Sequence, residues 1–145
     1  MNWKNEAVQD LKKLVHRQTA VKILTDELEE LNSRLYAVRG PVVDRSPVQG
    51  GGCRVEDRIL SLLDERARKR QSLQMAKREV GSTCKALAAL TDQQRDILDR
   101  FFIHRTADHV EALSRTYRLE QSQVYRLKDE ALRDFTLARY GAIDL

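Results

Sequence analysis

The chain has 145 residues, 41% of them hydrophobic, 33% charged and 6% aromatic, with 26 Lys and Arg against 22 Asp and Glu for a formal charge of +4. That suffices for one domain, or for one small domain plus an extended element, and high charge with few aromatics points to long helices rather than sheets. No apolar run approaches the ~20 residues that span a bilayer, and the start MNWKNEAVQDLKK lacks the apolar core of a signal peptide, so a cytoplasmic protein without membrane contact is expected.

Residues 2–38 read as one long helix. Ala7, Leu14, Val21, Leu28 and Leu35 recur every seven residues, and Leu24, Leu31 and Val38 fill a second seam that Asp10 and Arg17 interrupt. Four or more heptads with charged flanks predict coiled-coil packing, so a homo-oligomer formed through residues 2–90 is expected. Residues 40–53, GPVVDRSPVQGGGC, contain Pro41, Pro47 and a run of three glycines, and predict a flexible connection over 39–54. The glycines have no following Lys-Ser/Thr and no preceding strand, which argues against a nucleotide loop.

Helical periodicity resumes over 54–90 with Val55, Ile59, Leu62, Leu73, Ala76, Val80, Leu87 and Leu90. Two helices of about 37 residues, each roughly 55 Å long at 1.5 Å per residue, fit an antiparallel hairpin. Arg66 and Lys69 fall on the seam. There a partner chain intervenes, or the basic run Arg66, Arg68, Lys69 and Arg70 is a solvated face with a weaker claim on DNA phosphate. Cys53 and Cys84 have neither CxxC spacing nor a neighbouring His, so reduced thiols are expected, with no metal site or disulfide framework.

A new unit opens at Thr91. Thr91-Asp92-Gln93-Gln94 has the form of a capping box, and Ile97, Leu98, Phe101 and Phe102 supply an apolar face to the helix that follows. His104, Arg105 and Thr106 form a break, with Thr106 as the expected N-cap of a helix from Ala107 to Tyr117 whose Val110 and Leu113 face inward. His104 and His109 are five apart, which suits structural or surface histidines rather than a metal pair. The last helix runs from about Glu120 to Tyr140, with Gly141 as its C-cap. Its Val124, Leu127, Ala131 and Phe135 share one stripe, able to close a core with Leu113, Tyr117 and Leu119. The opposite face carries Ser122, Arg126, Asp129 and Arg133, flanked by Gln123 and Tyr125. An ordinary surface helix has the same pattern. Charge is unevenly spread: residues 91–145 hold nine Lys and Arg against ten Asp and Glu, but Arg115, Arg118, Arg126 and Lys128 between positions 115 and 128 face one acid, Glu120.

The wording Leu113-x-x-x-Tyr117-x-Leu119, a brief turn, and then Ser122-x-Val124-x-x-Leu127-x-x-x-Ala131-Leu132 resembles the helix-turn-helix of sigma-70 region four over roughly residues 90–135. With LTDQQRDILDRFFI before it and the coiled-coil pattern ahead of that, the chain resembles small phage and prophage proteins of the ArpU- and RinA-type transcriptional regulators. The resemblance implies an all-α fold: a long antiparallel helical hairpin over 1–90, then a small three-helix helix-turn-helix domain over 91–145. It implies a sequence-specific regulator that binds double-stranded DNA, with RNA polymerase as a further partner. Carried over by position, base-reading falls to Gln121, Ser122, Gln123, Tyr125 and Arg126, and phosphate contact to Arg115, Arg118 and Lys128. One position departs from the pattern: Arg118 stands where a glycine is common. Either the turn differs, or Arg118 accepts a strained backbone and reaches a phosphate. The resemblance does not extend to the part of a sigma factor that opens promoter DNA.

A competing expectation is a structural or packaging protein, such as a small terminase-like or scaffold subunit, in which the coiled coil acts and the helix-turn-helix is a folded cap. Enzymatic activity is not expected: the sequence offers no nucleophile with a base, no paired carboxylates and no phosphate loop, and no cofactor or small-molecule substrate is implied.

Overall fold

The computed structural model describes residues 2–39 and 52–143, and all of their regular structure is helical. Helix α1 spans Trp3–Arg39, α2 Gly52–Ala88, α3 Asp92–Leu98, α4 His109–Tyr117 and α5 Gln121–Tyr140; five residues of π-helix, Asp99–Ile103, continue α3. No helix among the described residues is long and apolar enough to cross a membrane. The expected flexible connection lies for the most part outside the described residues. At its ends helix replaces it, because α1 runs to Arg39 and α2 starts at Gly52. The cysteine expectation for Cys53 falls outside as well, since its side chain is not described; Cys84 is an exposed free thiol.

The described residues divide into two compact units, Met1–Gln18 with Arg78–Leu145, and Thr19–Lys77. In the first unit, Ala7 and Leu11 of α1, Ala86 and Leu90 at the end of α2, Leu98 of α3, and Ala131, Leu132 and Phe135 of α5 bury one apolar cluster. Ile97, Phe101, Leu113 and Val124 form a second, lined by Val110, Tyr117, Leu119 and Leu127. The α5 stripe legible in the sequence is therefore the buried one: Val124, Ala131 and Phe135 are each fully enclosed. Leu11 and Leu132 lie off the heptad seam and off the four-residue stripe, yet both are core, because the ends of α1 and α2 meet the back of α5.

Local chemistry sets the helix ends. Thr91 caps α3 as its sequence predicts: its hydroxyl accepts from the Gln94 backbone at 3.2 Å, and the Gln94 side chain accepts from the Thr91 N–H at 3.1 Å. The Arg95 guanidinium donates to the carbonyls of Leu87, Ala88 and Leu90, satisfying acceptors left over where α2 stops. Downstream, the structure corrects the expected start of α4. The helix begins at His109 after Asp108, and the Thr106 side chain does not cap it. The Thr106 carbonyl instead accepts from the His109 ring at 2.8 Å. The π-helix carries helical structure to Ile103 through the His104 N–H to Asp99 carbonyl bond at 2.7 Å. Five residues, His104 to Asp108, then lead to α4.

The second unit is more polar. Leu28, Leu31 and Leu35 are its buried side chains, and Arg66 and Lys69 of α2 reach α1, to Asn32 at 3.2 Å and to Glu27 at 2.5 Å. Both seam cations thus have partners within the chain. Five large apolar side chains of this unit stand exposed: Ile23, Tyr36, Val55, Leu60 and Met75.

Candidate nucleic-acid interface

The turn between α4 and α5 is built on Arg118, whose backbone sits in the left-handed region at φ 54° and ψ 51°. It is the one non-glycine residue of positive φ among the described residues. An L side chain there costs roughly 1–2 kcal/mol. The conformation lets the Arg118 and Leu119 N–H groups turn back to the Ser114 carbonyl, the latter at 3.0 Å, and drops Leu119 against the second core cluster. Of the two alternatives posed by the sequence, the strained backbone is the one adopted. The Arg118 side chain is exposed and makes no hydrogen bond or ion pair among the described residues.

Helix α5 opens immediately afterwards with Glu120 as N-cap. The Gln123 side chain accepts from the Glu120 N–H at 3.1 Å, so this half-buried amide is occupied in closing the first turn. Gln121, Ser122 and Arg126 are exposed, with no side-chain hydrogen bond or ion pair to other described residues. Ser122 and Arg126 stand on the side of the helix opposite Val124, Ala131 and Phe135, whereas Gln121 is exposed at the first residue of the helix, three before Val124.

Tyr125 is held differently. It is 48% exposed, and its ring meets Phe101 edge-on with centroids 5.9 Å apart; Phe101 in turn lies edge-on to the His109 ring at 4.7 Å. The tyrosine is thereby fixed from behind while its outer half faces solvent. Lys128 Nζ lies 5.7 Å from the Phe101 centroid and 5.9 Å from that of Tyr125, and pairs with Asp129 at 2.8 Å. Its charge is already engaged. Arg115 is exposed and 4.0 Å from Asp108; with Glu111, Ser114, Leu119 and Gln121 it lines an open groove of about 510 Å³.

The sequence-selected residues therefore fall into two groups. Gln121, Ser122, Tyr125, Arg126, Arg115 and Arg118 are exposed at the start of α5 and the turn before it, whereas Gln123 and Lys128 are half-buried and committed to intramolecular partners. The aromatic support behind Tyr125 was not legible, because Phe101, His109 and Tyr125 are far apart in the chain and carry no shared period.

Behind this face Tyr117 donates to Asp96 Oδ2 at 2.6 Å. Burial first, and then the hydrogen bond to Asp96, push its phenol up to about 12. Among the described residues no group of three or more His, Cys, Asp or Glu is placed to hold a metal ion. No protein-family model, no curated protein and no solved structure matches the chain.

Proposed function

We propose that the protein is a sequence-specific double-stranded-DNA-binding transcriptional regulator of the ArpU and RinA type, phage or prophage encoded, acting in the cytoplasm and without catalytic activity. In this reading α4 and α5 are a helix-turn-helix and the start of α5 enters the major groove. One observation carries it: Ser122, Tyr125 and Arg126 are exposed together on the side of a helix away from its buried Val124, Ala131 and Phe135, with Gln121 exposed at its first residue. Arginine and glutamine donate to base edges, and a tyrosine braced by Phe101 reaches a groove at small entropic cost. Arg118 and Arg115, at the turn, face the phosphates beside that groove; Lys128 and Gln123 serve by holding Tyr125 and the first helical turn.

Residues 1–90 form, in this proposal, an antiparallel hairpin that associates with further copies and spaces two α5 helices about 34 Å apart, one duplex turn. What supports the hairpin is register. Moving up α1 from Glu27 to Asn32 moves down α2 from Lys69 to Arg66, the order an antiparallel pair requires. RNA polymerase is the further partner. Footprinting on the DNA flanking the protein's own gene tests the reading: a protected, promoter-sized site is expected, and uniform protection or none at all refutes it.

A second reading has its own observation. Five exposed large apolar side chains lie within residues 19–77, which suits a coiled coil that assembles as a scaffold or packaging subunit. Light scattering separates the two: a small oligomer fits the regulator, a ring-sized assembly without a footprint fits the scaffold.

A further inference from the structure

We propose that the outer side of α2 between Glu56 and Lys77 pairs with the same side of a second copy, antiparallel and related by a two-fold axis beside Ala67. The inference rests on the association of copies in the reading above and deepens it by naming the face and the direction. Every residue of the surface lies within one compact unit, Thr19–Lys77.

The surface is the side of α2 turned away from α1. Arg66 and Lys69 mark the inner side, because they reach Asn32 and Glu27 of α1. Leu60, Ala67 and Gln74, seven residues apart, run along the outer side as one seam, and all three are exposed. Leu60 is 63% exposed, and Met75, beside Gln74, is 61% exposed. A single exposed apolar residue is ordinary on a protein surface. Here the two are placed at the ends of a pattern that fits its own reverse.

Spacing supplies the first half of that fit. Leu60 and Met75 are 15 residues apart, about 22 Å of helix. In an antiparallel pair centred beside Ala67, Leu60 of one copy comes level with Met75 of the other, and the symmetry makes the contact twice. The small Ala67 side chain sits at the centre, where the two helices approach most closely.

Charge supplies the second half and selects the direction. Residues 54–65 carry four acids against two cations, and residues 66–77 carry five cations and no acid. A parallel pair sets acid on acid and cation on cation, whereas an antiparallel pair sets each half on its opposite. Glu56 and Lys77 lie to one side of the seam, Asp64 and Arg68 to the other. All four are exposed and make no ion pair among the described residues. Centred beside Ala67, Glu56 comes within about 5 Å along the axis of Lys77 in the second copy, and Asp64 likewise of Arg68. The acidic half also repels a nucleic acid or an anionic membrane laid along this face. A two-fold contact uses the face once in each copy and closes at two, which suits the regulator rather than a growing scaffold.

The test uses the full chain. In a Cys53→Ser, Cys84→Ser background, Leu60→Cys and Met75→Cys are made separately, one of them carrying a tag that changes its mass. Oxidising the mixture should give disulfide-linked heterodimer and little of either homodimer. Separately, the pair Glu56→Lys with Asp64→Lys should weaken self-association in sedimentation equilibrium by about tenfold or more, as should Arg68→Glu with Lys77→Glu. Mixing these two variants in equal amounts should restore it, which also shows that each is folded.

Homodimers from each single cysteine variant overturn the inference in favour of a parallel pair, and a mixture of charge variants that stays dissociated overturns it as well. Assembly of the wild type beyond two copies overturns it in favour of the scaffold. A wild type that is monomeric at every concentration overturns it together with the spacing of two α5 helices, leaving a protected footprint to stand for DNA binding. Heterodimer cross-linking without any footprint sustains this inference and sinks the regulator reading alone.

Discussion

The phenol of Tyr140, the last residue of α5, donates a hydrogen bond to the carboxylate of Asp10, 130 residues earlier in α1. Asp10 is only 4% exposed and is also met by Arg17 at 2.9 Å and Arg139 Nε at 3.5 Å. The Tyr140 ring also packs with Trp3, their centroids 4.9 Å apart, and with the Arg139 guanidinium, 4.7 Å from its centroid. Asp10, one of the two polar residues that interrupt the second heptad seam of α1, therefore binds the end of α5 to the start of the chain, and Arg17, the other, pairs with its carboxylate and with Glu79 of α2.

Removing the carboxylate leaves Arg17 and Arg139 with the partly exposed Glu79 as their one shared acid in a poorly solvated site. Asp10→Ala should destabilise the protein by about 3 kcal/mol, at the low end for a broken buried pair because Arg17 keeps some access to water. Tyr140→Phe keeps the ring packing and deletes one hydrogen bond, for about 1–2 kcal/mol. Urea unfolding followed by circular dichroism measures both; an Asp10→Ala midpoint equal to that of the wild type would show that the network contributes nothing.

Stability should fall at alkaline pH through Tyr117. Its phenol is pushed from an ordinary 10.0 up to about 12 by burial and by the bond to Asp96. Below about 10 the folded and unfolded chains both hold the proton, and the contribution is fully present. Between about 10 and 12 the unfolded chain releases the proton first, so stability drops as pH rises, and the drop levels once the folded phenol ionises too. Burial and the bond to Asp10 move Tyr140 in the same direction, so Tyr117→Phe should shrink the alkaline loss without abolishing it. Urea midpoints taken across that window check this, and parallel curves for wild type and variant would contradict it.

Arg118→Gly separates fold from function. Glycine relieves the left-handed backbone, and although it loosens the unfolded chain, the net effect should be a gain of up to about 1 kcal/mol in stability. The same change removes an exposed cation beside α5, so duplex affinity should fall several-fold and its salt slope by about 0.9. Thermal unfolding and a salt series on one protein preparation read both. A variant that is more stable and binds DNA as well as the wild type would mean that Arg118 touches no phosphate.

Arg126 carries the heaviest burden in the proposed interface, being exposed and without an intramolecular partner among the described residues. Arg126→Ala should lose about 1–3 kcal/mol on the footprinted site and far less on random duplex. Competition binding between the two duplexes measures the ratio. Equal weakening on both would demote Arg126 from base reader to phosphate contact.

Periodicity and end chemistry made much of this legible in the sequence alone. The capping box at Thr91, the left-handed C-cap at Gly141, and the buried stripe Val124, Ala131 and Phe135 all follow from interactions within a few residues or from a 3.6-residue repeat, whereas at Arg118 the sequence left two turns open and the structure chose the left-handed one. What no local rule carries is pairing between distant segments. That Leu11, Leu132 and Ala86 share one core, that Asp10 is matched by Tyr140 and Arg139, that Phe101 braces Tyr125, and that Arg66 and Lys69 turn to α1 while Arg70 and Lys77 face water depend on which helix faces meet. The sequence by itself determined the helices and their polar and apolar sides; only the tertiary structure decided which charges are neutralised by the chain and which remain for a partner, because an ion pair is set by distance in space and not by spacing along the chain.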